Sequence, residues 1–336
     1  MRRRAAAALL CALLAPVAEA AGVTAPHAQR PAVQPVAAAQ GLAATDAAGQ
    51  ALRVASAPRV LTDDWGRRLL LPAPPARIVS LAPHATELLF DAGVGARVVA
   101  VDRSSDLPPQ VRDLPALQAV PRPDIERLMA LRPDLVIAWG AAFDPGMVER
   151  LDRLGIPVFI SEPRSLDDIA FTLERFAQLA PDAARGQAAA RGFRNAVASL
   201  RARHAQGTPV PVFVQIWGRP LMTLSDQDSF ADVLRSCGAR NLFGDEPVPA
   251  PQVGHETVLR RAPRLVLAFG ADGQGASGDE VRATWTRLGL LTPKGSADFL
   301  RLDGAIHRPT LRLLAPMTRL CETVGAVRVR DRASER

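Results

Sequence analysis

Short apolar runs alternate with amphipathic segments along most of the chain, an order typical of buried parallel strands connected by helices. Alternation of polar and apolar residues around Asp64-Trp65-Gly66 predicts a hairpin ahead of them. The predicted strands are 77–81, 98–102, 135–140, 154–161, 210–218, 265–270 and 299–303. The predicted helices are 84–93, 182–204, 229–239, one around Trp285, and 309–324. The pattern therefore predicts an α/β fold with mostly parallel sheets covered on both faces.

One unit of this pattern occurs twice. Each copy is a short helix opened by an acidic residue, a break at proline, and a buried strand that ends in an aromatic residue and glycine. A shift of 130 positions places 123–140 on 253–270 and Glu126 on Glu256. Open α/β sheets bind ligands beyond the carboxyl ends of their strands. The duplication therefore predicts two similar Rossmann-like lobes with a ligand cleft between them.

A second pair of segments supports the duplication. The predicted helix at 229–239 mirrors the one at 84–93, with Asp232 over Glu87 and a glycine closing each helix. Each helix comes after the first strand of its half, so the repeat covers the start of each lobe as well as its centre.

The long Ala- and Arg-rich helix at 182–204 lies between the two halves and would be about 33 Å long, enough to run along both lobes. Two lobes joined by this single helix move less freely than lobes joined by several extended crossovers. The predicted division is an N-terminal lobe at 59–164, a connecting helical segment at 165–207, a C-terminal lobe at 208–327 and a basic tail at 328–336.

Residues 1–20 have the order of a secretory signal, with MRRR, an apolar run at 5–17, and an A-x-A site formed by Ala18 and Ala20. The run is shorter than the roughly 20 residues that span a bilayer, so we expect cleavage and export to the periplasm. Residues 21–58 are rich in Ala, Pro and Gln without periodicity, and we interpret them as a flexible leader.

The formal net charge of +7 raises the question of nucleic-acid binding. Lys294 is the only lysine, and the arginines alternate with acidic and apolar residues instead of clustering. Several arginines lie in the signal and the tail, so the folded part is closer to neutral. We therefore expect no nucleic-acid partner.

Two cysteines remain after the signal, Cys237 and Cys321. In an exported protein an even pair favours a disulfide over a metal or redox site, because the compartment is oxidising. Two free buried thiols are the alternative. A bond would close a loop of 84 residues and stabilise the C-terminal lobe by roughly 4 to 5 kcal/mol in the chain-entropy description.

From about residue 60 to 324 the chain resembles the helical-spine (class III) periplasmic binding proteins of ABC importers. The resemblance rests on RIVSLAPHATELLFDAG, SSDLPPQ, PDIERLMALRPDLVIAW, LRSCGARNLF, VPAPQV with HETVL, and LDGAIHRPTLRL, which follow one another in the family's order. It is closest to the cobalamin-binding members, and haem- and siderophore-binding members share the frame. It implies a periplasmic monomer, without a cofactor or catalysis of its own, that binds cobalamin or a related corrinoid and passes it to an ABC permease.

The family's docking glutamates and disulfide have counterparts here. One glutamate on each family lobe docks onto permease arginines, and the matching positions are Glu126 and Glu256, which the internal repeat superposes independently. Favourable placement at helix starts is the alternative reading of these two acids. The family's disulfide falls on Cys237 and Cys321.

The family's ligand contacts carry over in part. Trp139 matches a cleft tryptophan, and Asp303 matches an acid in the last ligand-contacting loop. Ser104, Val120 and Ala250 stand where cobalamin-binding members place aromatic residues, which stack on a flat macrocycle. The residues predicted to contact the ligand are Pro83, His84, Ser104, Trp139, Trp217, Ala250, Asp303, His307 and Arg308.

Some of these residues leave other readings open. Phe143, Met222 and Trp217 either replace the missing aromatic contacts or belong to the core. His307 with Arg308 would also suit an anionic haem or iron-siderophore complex. The absence of tyrosine excludes haem ligation by a phenolate.

Three histidines and one glycine-rich stretch are further candidates for chemistry. His84, His255 and His307 could bind a transition metal, with ordinary polar lining as the alternative. The glycine-rich GADGQGASG lacks the order of a phosphate-binding loop, so we predict a surface loop. A metal-cluster oxidoreductase of similar architecture would need several cluster-ligating cysteines, and the two that remain favour a binding protein over an enzyme.

Overall fold

The computed structural model describes residues 58–119, 122–269, 278–291 and 297–334. Outside the described residues lie the predicted signal at 1–20 and residues 21–57 of the predicted leader. Val120 and the glycine-rich segment 270–277 also lie outside them. Within the described ranges, no helix combines the length and hydrophobicity that a membrane crossing needs.

The predicted hairpin opens the described chain. Strands β1 (Arg59–Thr62) and β2 (Arg68–Leu71) pair antiparallel, with Thr62 opposite Arg68. In the turn, Asp64 accepts a hydrogen bond of 2.6 Å from the guanidinium of Arg175, whose side chain is 5% exposed. This buried ion pair fastens the hairpin to the lobe behind it.

The N-terminal half forms a five-stranded sheet in which every pair of neighbours is parallel. Its strands are β3 (Ile78–Leu81), β4 (Val98–Asp102), β5 (Ala116–Leu117), β6 (Leu135–Trp139) and β7 (Val158–Ser161). Their spatial order is β5-β4-β3-β6-β7. The helices between them are α1 (Pro83–Asp91), α2 (Ile125–Ala130) and α3 (Pro145–Arg153).

Two helices connect the halves. In α4 (Leu166–Ala177) the Ser165 hydroxyl caps the first turn, accepting a hydrogen bond of 3.1 Å from the N–H of Asp168. Helix α5 (Ala184–His204) is the predicted spine, two residues shorter at its start, and its 21 residues span about 30 Å. The two helices pack against each other along the middle of the molecule.

The C-terminal half repeats the sheet. Its elements in chain order are β8 (Val210–Gln215), a hairpin of β9 (Trp217–Gly218) and β10 (Leu221–Met222), α6 (Phe230–Ser236), β11 (Ala239–Asn241), α7 (His255–Arg261), β12 (Leu265–Phe269), α8 (Gly278–Arg287), β13 (Asp298–Leu302) and α9 (Leu314–Ser334). The four-stranded sheet is parallel with the order β11-β8-β12-β13, which matches β4-β3-β6-β7 of the first half. The predicted pair of α/β lobes with a long helix between them is confirmed, and α4 precedes that long helix in the connecting segment.

The sequence repeat corresponds to a structural one down to single residues. Helices α2 and α7 begin 130 positions apart, and so do β6 and β12. Arg132 and Ala262, also 130 apart, both adopt the left-handed conformation with φ of 46° and 48° directly before a proline. A residue before proline avoids the right-handed helical region, so each helix ends there and the chain turns into the central strand.

A continuous hydrophobic core runs through both lobes. One cluster of buried residues extends from the inner face of the first sheet through α4 and α5 to the second sheet, and it includes Phe159, Phe176, Phe193, Val212 and Leu267. The outer face of each sheet has a separate cluster. The connecting helices are therefore part of the core of each lobe as well as the link between them.

The predicted disulfide is present between Cys237, at the end of α6, and Cys321 in α9. Both cysteines are fully buried, and α9 packs against α5 and the second sheet. The bond thus fastens the last helix to the first helix of the C-terminal lobe.

The last helix differs from its predicted end at residue 324. Helix α9 continues to Ser334, through most of the segment predicted as a basic tail. The physical reason is that the tail has partners: Arg328 donates hydrogen bonds to the carbonyl oxygens of Thr208, His204 and Gly238. This one guanidinium therefore links α9 to the end of α5 and to the starts of β8 and β11.

Candidate functional site

The carboxyl ends of the first sheet's strands present several of the predicted ligand contacts. Pro83 and His84 follow β3 at the start of α1, Ser104 follows β4, and Trp139 is the last residue of β6. Trp139 is 37% exposed although the four strand residues before it are buried. Because the strands are parallel, these side chains share one edge of the sheet.

His84 is the buried polar group of this edge. Its residue is 6% exposed, and its Nε2 lies 3.0 Å from the hydroxyl of Ser161 at the end of β7. Burial lowers the pKa of His84 to about 4, with a hydrogen bond to the backbone of Ser161 opposing the shift and the charge of Arg308 adding to it. The imidazole is therefore neutral at neutral pH.

The facing edge of the second sheet carries the remaining predicted contacts. Trp217 and Met222 pair across the β9–β10 hairpin, which directly follows β8. The Trp217 indole N–H donates to the carbonyl oxygen of Arg219 at 2.9 Å, and both Trp217 and Met222 are half-buried. Ala250 is half-buried, and exposed Asp303 follows β13 and accepts a hydrogen bond from the N–H of Ala305.

An aromatic cluster backs His307 on this edge. The His307 ring centroid lies 3.9 Å from that of Phe269, at the end of β12, and 5.7 Å from that of Phe230. Phe230 and Phe269 meet edge to face at 5.3 Å. Desolvation by this packing lowers the pKa of His307, although the residue remains exposed on its other side. The C-terminal lobe thus presents a neutral imidazole supported by two phenyl rings.

Arg308 joins the two edges. Its Nη1 lies 3.1 Å from Oε1 of Glu87 in α1, and it also pairs with Asp106, which follows β4. Arg312 reaches the same Glu87 oxygen at 3.4 Å. The guanidinium predicted to contact a ligand therefore lies in ion pairs that cross from the C-terminal to the N-terminal lobe.

The other candidate residues lie apart from this group. Phe143 is 5% exposed in the outer core of the first lobe, so it does not supply a cleft contact. His255 packs against buried Trp285 behind the second sheet, with ring centroids 5.4 Å apart. Among the described residues no three His, Cys, Asp or Glu side chains form a group that could hold a metal ion.

The proposed docking glutamates are exposed at matching places. The chain leaves β5 and β11 at the strand-end edges and returns to the start of the next strand, so the first turns of α2 and α7 lie near those edges. Glu126 and Glu256 occupy these first turns. The side chain of Glu256 is 91% exposed, with the guanidinium of Arg260 at 3.7 Å.

Four residues of this region were missed by sequence reasoning. They are Glu87, Asp106, Phe230 and Phe269. The Glu87 side chain is 5% exposed. An acidic residue among the apolar residues of a predicted helix is unusual, and that pattern could have identified Glu87 as a functional candidate. Phe269 is the repeat partner of Trp139, so the 130-position shift could also have marked it. Asp106 lies within the motif SSDLPPQ, but nothing in that motif indicates that its partner is Arg308.

A separate groove of about 510 Å³ lies behind α1. It is lined by Phe90, Asp91, Pro108 and Arg185, and it shares only Glu87 and Arg312 with the bridging contacts. Its lining comes from the side of α1 and the turn after it, from residues 107–110, and from Arg185 at the start of α5. We place the ligand site at the strand ends instead, since open α/β sheets bind ligands there.

Known proteins share this sequence and architecture. Residues 78–285 match the family model described as periplasmic binding protein. A vitamin B12-binding protein of Yersinia pestis (strain Pestoides F) is 35% identical over 260 residues, which cover 77% of this chain and 90% of that protein.

Solved structures give the same answer for the fold. The periplasmic vitamin B12-binding protein of Vibrio cholerae is 33% identical with a TM-score of 0.67, over 76% of this chain and 98% of that one. The periplasmic haem-binding protein of Roseiflexus sp. RS-1 is 24% identical with a TM-score of 0.62, over 75% and 98%.

Proposed function

This chain belongs to the periplasmic binding protein family, and we propose that it captures cobalamin or a related corrinoid and delivers it to an ABC permease of the inner membrane. The family indicates a periplasmic location. Export through the signal at 1–20, action as a monomer, and the lack of catalysis or a resident cofactor belong to the same proposal.

The observation that carries the proposal is the pair of facing strand-end edges. Two duplicated parallel sheets turn their carboxyl ends toward each other, and the contacts of Arg308 with Glu87 and Asp106 show how closely the edges approach. A site of this kind, between lobes and lined by side chains from both, suits a ligand with two large faces.

The chemistry of the edges supports a corrinoid. A corrinoid is a flat metal macrocycle whose rim carries amide side chains. The partly exposed rings of Trp139, Trp217 and His307 offer apolar surface for its faces. The neutral imidazoles of His84 and His307 and backbone groups of the strand-end loops offer hydrogen bonds for amides. The relatives named as vitamin B12-binding proteins support the same ligand.

Haem or an iron-siderophore is the alternative cargo. The haem-binding protein of Roseiflexus sp. RS-1 is 24% identical to this chain, a similarity that supports the shared fold and not a shared ligand. The guanidinium of Arg308, which would suit an anionic cargo, is already paired with two carboxylates. We therefore favour the corrinoid.

Calorimetry on the protein without residues 1–20 tests the ligand. We expect cyanocobalamin and cobinamide to bind with measurable heat and to raise the unfolding temperature. If neither gives heat or a thermal shift while haemin does, the cargo is an iron tetrapyrrole and the corrinoid proposal is wrong.

Delivery is proposed to use Glu126 and Glu256. Each carboxylate projects from a matching helix at the strand-end side of its lobe, an arrangement that presents one bidentate arginine target on each side. A permease with two-fold symmetry would offer two such arginine sites.

A further inference from the structure

We propose that Glu87 and Asp106 are specificity residues that keep tetrapyrroles with free carboxylates out of the cleft by neutralising Arg308. The inference rests on the proposed function, because it concerns which macrocycle the cleft accepts. It assigns a role to two acids that are not among the residues predicted to contact the ligand.

The charges at this point balance. Arg308 contacts Glu87 and Asp106, and Arg312 contacts Glu87 at 3.4 Å, so two guanidinium groups face two carboxylates. The side chain of Glu87 is 5% exposed and that of Arg308 is 27% exposed. Interactions among such partly buried charges are stronger than those at an open surface, since water screens them less.

The balanced group lies at the strand-end edges, where the proposed function places the ligand. Arg308 follows β13, Asp106 follows β4, and Glu87 is one helical turn beyond His84 in α1. The contact of Arg308 with Glu87 at 3.1 Å places the guanidinium beside the first turns of α1, where His84 also lies. A macrocycle between the edges therefore has its rim close to this group.

The two classes of macrocycle differ at that rim. Haem carries two propionate carboxylates, and each must find a cationic or hydrogen-bonding partner when it leaves water. At Arg308 it would meet a guanidinium that already has two carboxylate partners, together with the repulsion of those carboxylates. The neutral amides of a corrinoid escape that repulsion. Specificity then comes from electrostatic repulsion that makes the binding free energy of haem less favourable.

The test separates the carboxylates from the rest of the macrocycle. Asp106→Asn removes one charged partner of Arg308. Because the Asp106 side chain is 62% exposed, the replacement leaves the lobe folded. Affinities of haemin and of its dimethyl ester are measured by quenching of tryptophan fluorescence, and their ratio isolates the contribution of the carboxylates. We expect Asp106→Asn to raise the preference for the diacid about fivefold, and Glu87→Gln to raise it at least as much.

Asp113→Asn is the matched control, because it removes the same charge from an exposed acid of the same connecting segment. It should leave the diacid-to-diester ratio within about twofold of the wild-type protein. An unchanged ratio in both Asp106→Asn and Glu87→Gln, or an equal rise in Asp113→Asn, overturns the inference. Binding of cyanocobalamin by the wild-type protein is measured beside it, and its absence would count against the proposed function without bearing on the ratio.

Discussion

His84 is a single residue whose chemistry is set by its surroundings. Its lowered pKa of about 4 lies below the ordinary value of 6.5, so the unfolded chain takes up a proton before the folded protein does. The stability that depends on neutral His84 is therefore complete above about pH 6.5 and is lost as the pH falls toward 4. The full loss corresponds to about 3 kcal/mol.

We expect His84→Gln, which retains a group able to bond Ser161, to flatten this part of the pH dependence. Urea unfolding between pH 4 and 7.5 measures it, with His255→Gln as the control at an exposed histidine. If the two variants lose stability in parallel with the wild-type protein down to pH 4, the imidazole titrates normally and the burial argument fails.

Trp139 carries a second prediction at this scale. Its ring is exposed at the end of a buried strand, so Trp139→Ala should weaken cyanocobalamin binding about tenfold while leaving the fold intact. Leu154→Ala is the matched control, because Leu154 is 45% exposed but precedes β7 at the opposite end of the sheet. Calorimetry compares the two, and equal affinities would remove Trp139 from the site.

Only some residues of the candidate site could be predicted from the sequence. Trp139 and His84 were predictable because Trp139 ends a buried strand and His84 lies in the turn after one, and the ends of parallel strands meet at one edge. Phe143 was ambiguous, since an aromatic residue near a strand end suits both a cleft and a core. The ion pairs of Arg308 were not predictable, because Glu87 lies 221 positions away in the sequence.

At the scale of elements, α1 and α6 are equivalent helices with equivalent acids. Glu87 in α1 binds arginines of the other lobe, and Asp232 in α6 accepts a hydrogen bond of 2.9 Å from the N–H of Leu166 at the start of α4. Arg201 of α5 also pairs with Asp232 at 3.1 Å. Each first helix is thus tied through one carboxylate to an element outside its own sheet.

We expect Asp232→Asn to destabilise the protein by about 2 kcal/mol, since it leaves Arg201 with a weakened partner in a half-buried place. Asp226→Asn is the control, because its ion pair with Arg235 is 3.8 Å long and exposed. Chemical denaturation compares the two, and a loss of equal size in both would mean that the contact to α4 adds nothing.

The disulfide ties α6 to α9 over a sequence separation of 84 residues. Replacing Cys237 and Cys321 together by serine should lower the stability by about 4 kcal/mol, chiefly because the unfolded chain gains freedom. Thermal unfolding with and without a reducing agent checks this. A wild-type protein whose unfolding temperature does not respond to reduction would contradict the expected contribution.

At the scale of the whole molecule, one core cluster passes through both sheets and the two connecting helices. This continuity, with the ion pairs of Arg308, predicts lobes that keep a nearly constant separation. Glu126 and Glu256 would then be held at a fixed spacing for a partner with fixed arginine sites.

We therefore expect Glu126→Ala with Glu256→Ala to abolish delivery while cyanocobalamin affinity stays unchanged. Delivery is measured as transport into vesicles that contain the permease, and cyanocobalamin affinity is measured by calorimetry. Glu149→Ala is the control at another exposed acid of the first lobe. Full transport by the double variant would show that docking uses other groups.

The sequence by itself determined the main strands of both sheets, the long helix and the duplication, because these depend on local periodicity, proline and glycine positions, and residues that recur at a constant spacing. The short strands β5, β10 and β11 and helix α3 were not among the predicted elements. The disulfide was predicted from an even pair of cysteines in an exported chain. It also determined which residues end the strands, and so most of the candidate site. The tertiary structure alone decided that Arg308 pairs with Glu87 and Asp106, that Phe230 and Phe269 support His307, and that α9 continues to Ser334. Each of these depends on which distant side chains meet when two sheets pack through shared helices, and the contact between them has no counterpart in local sequence.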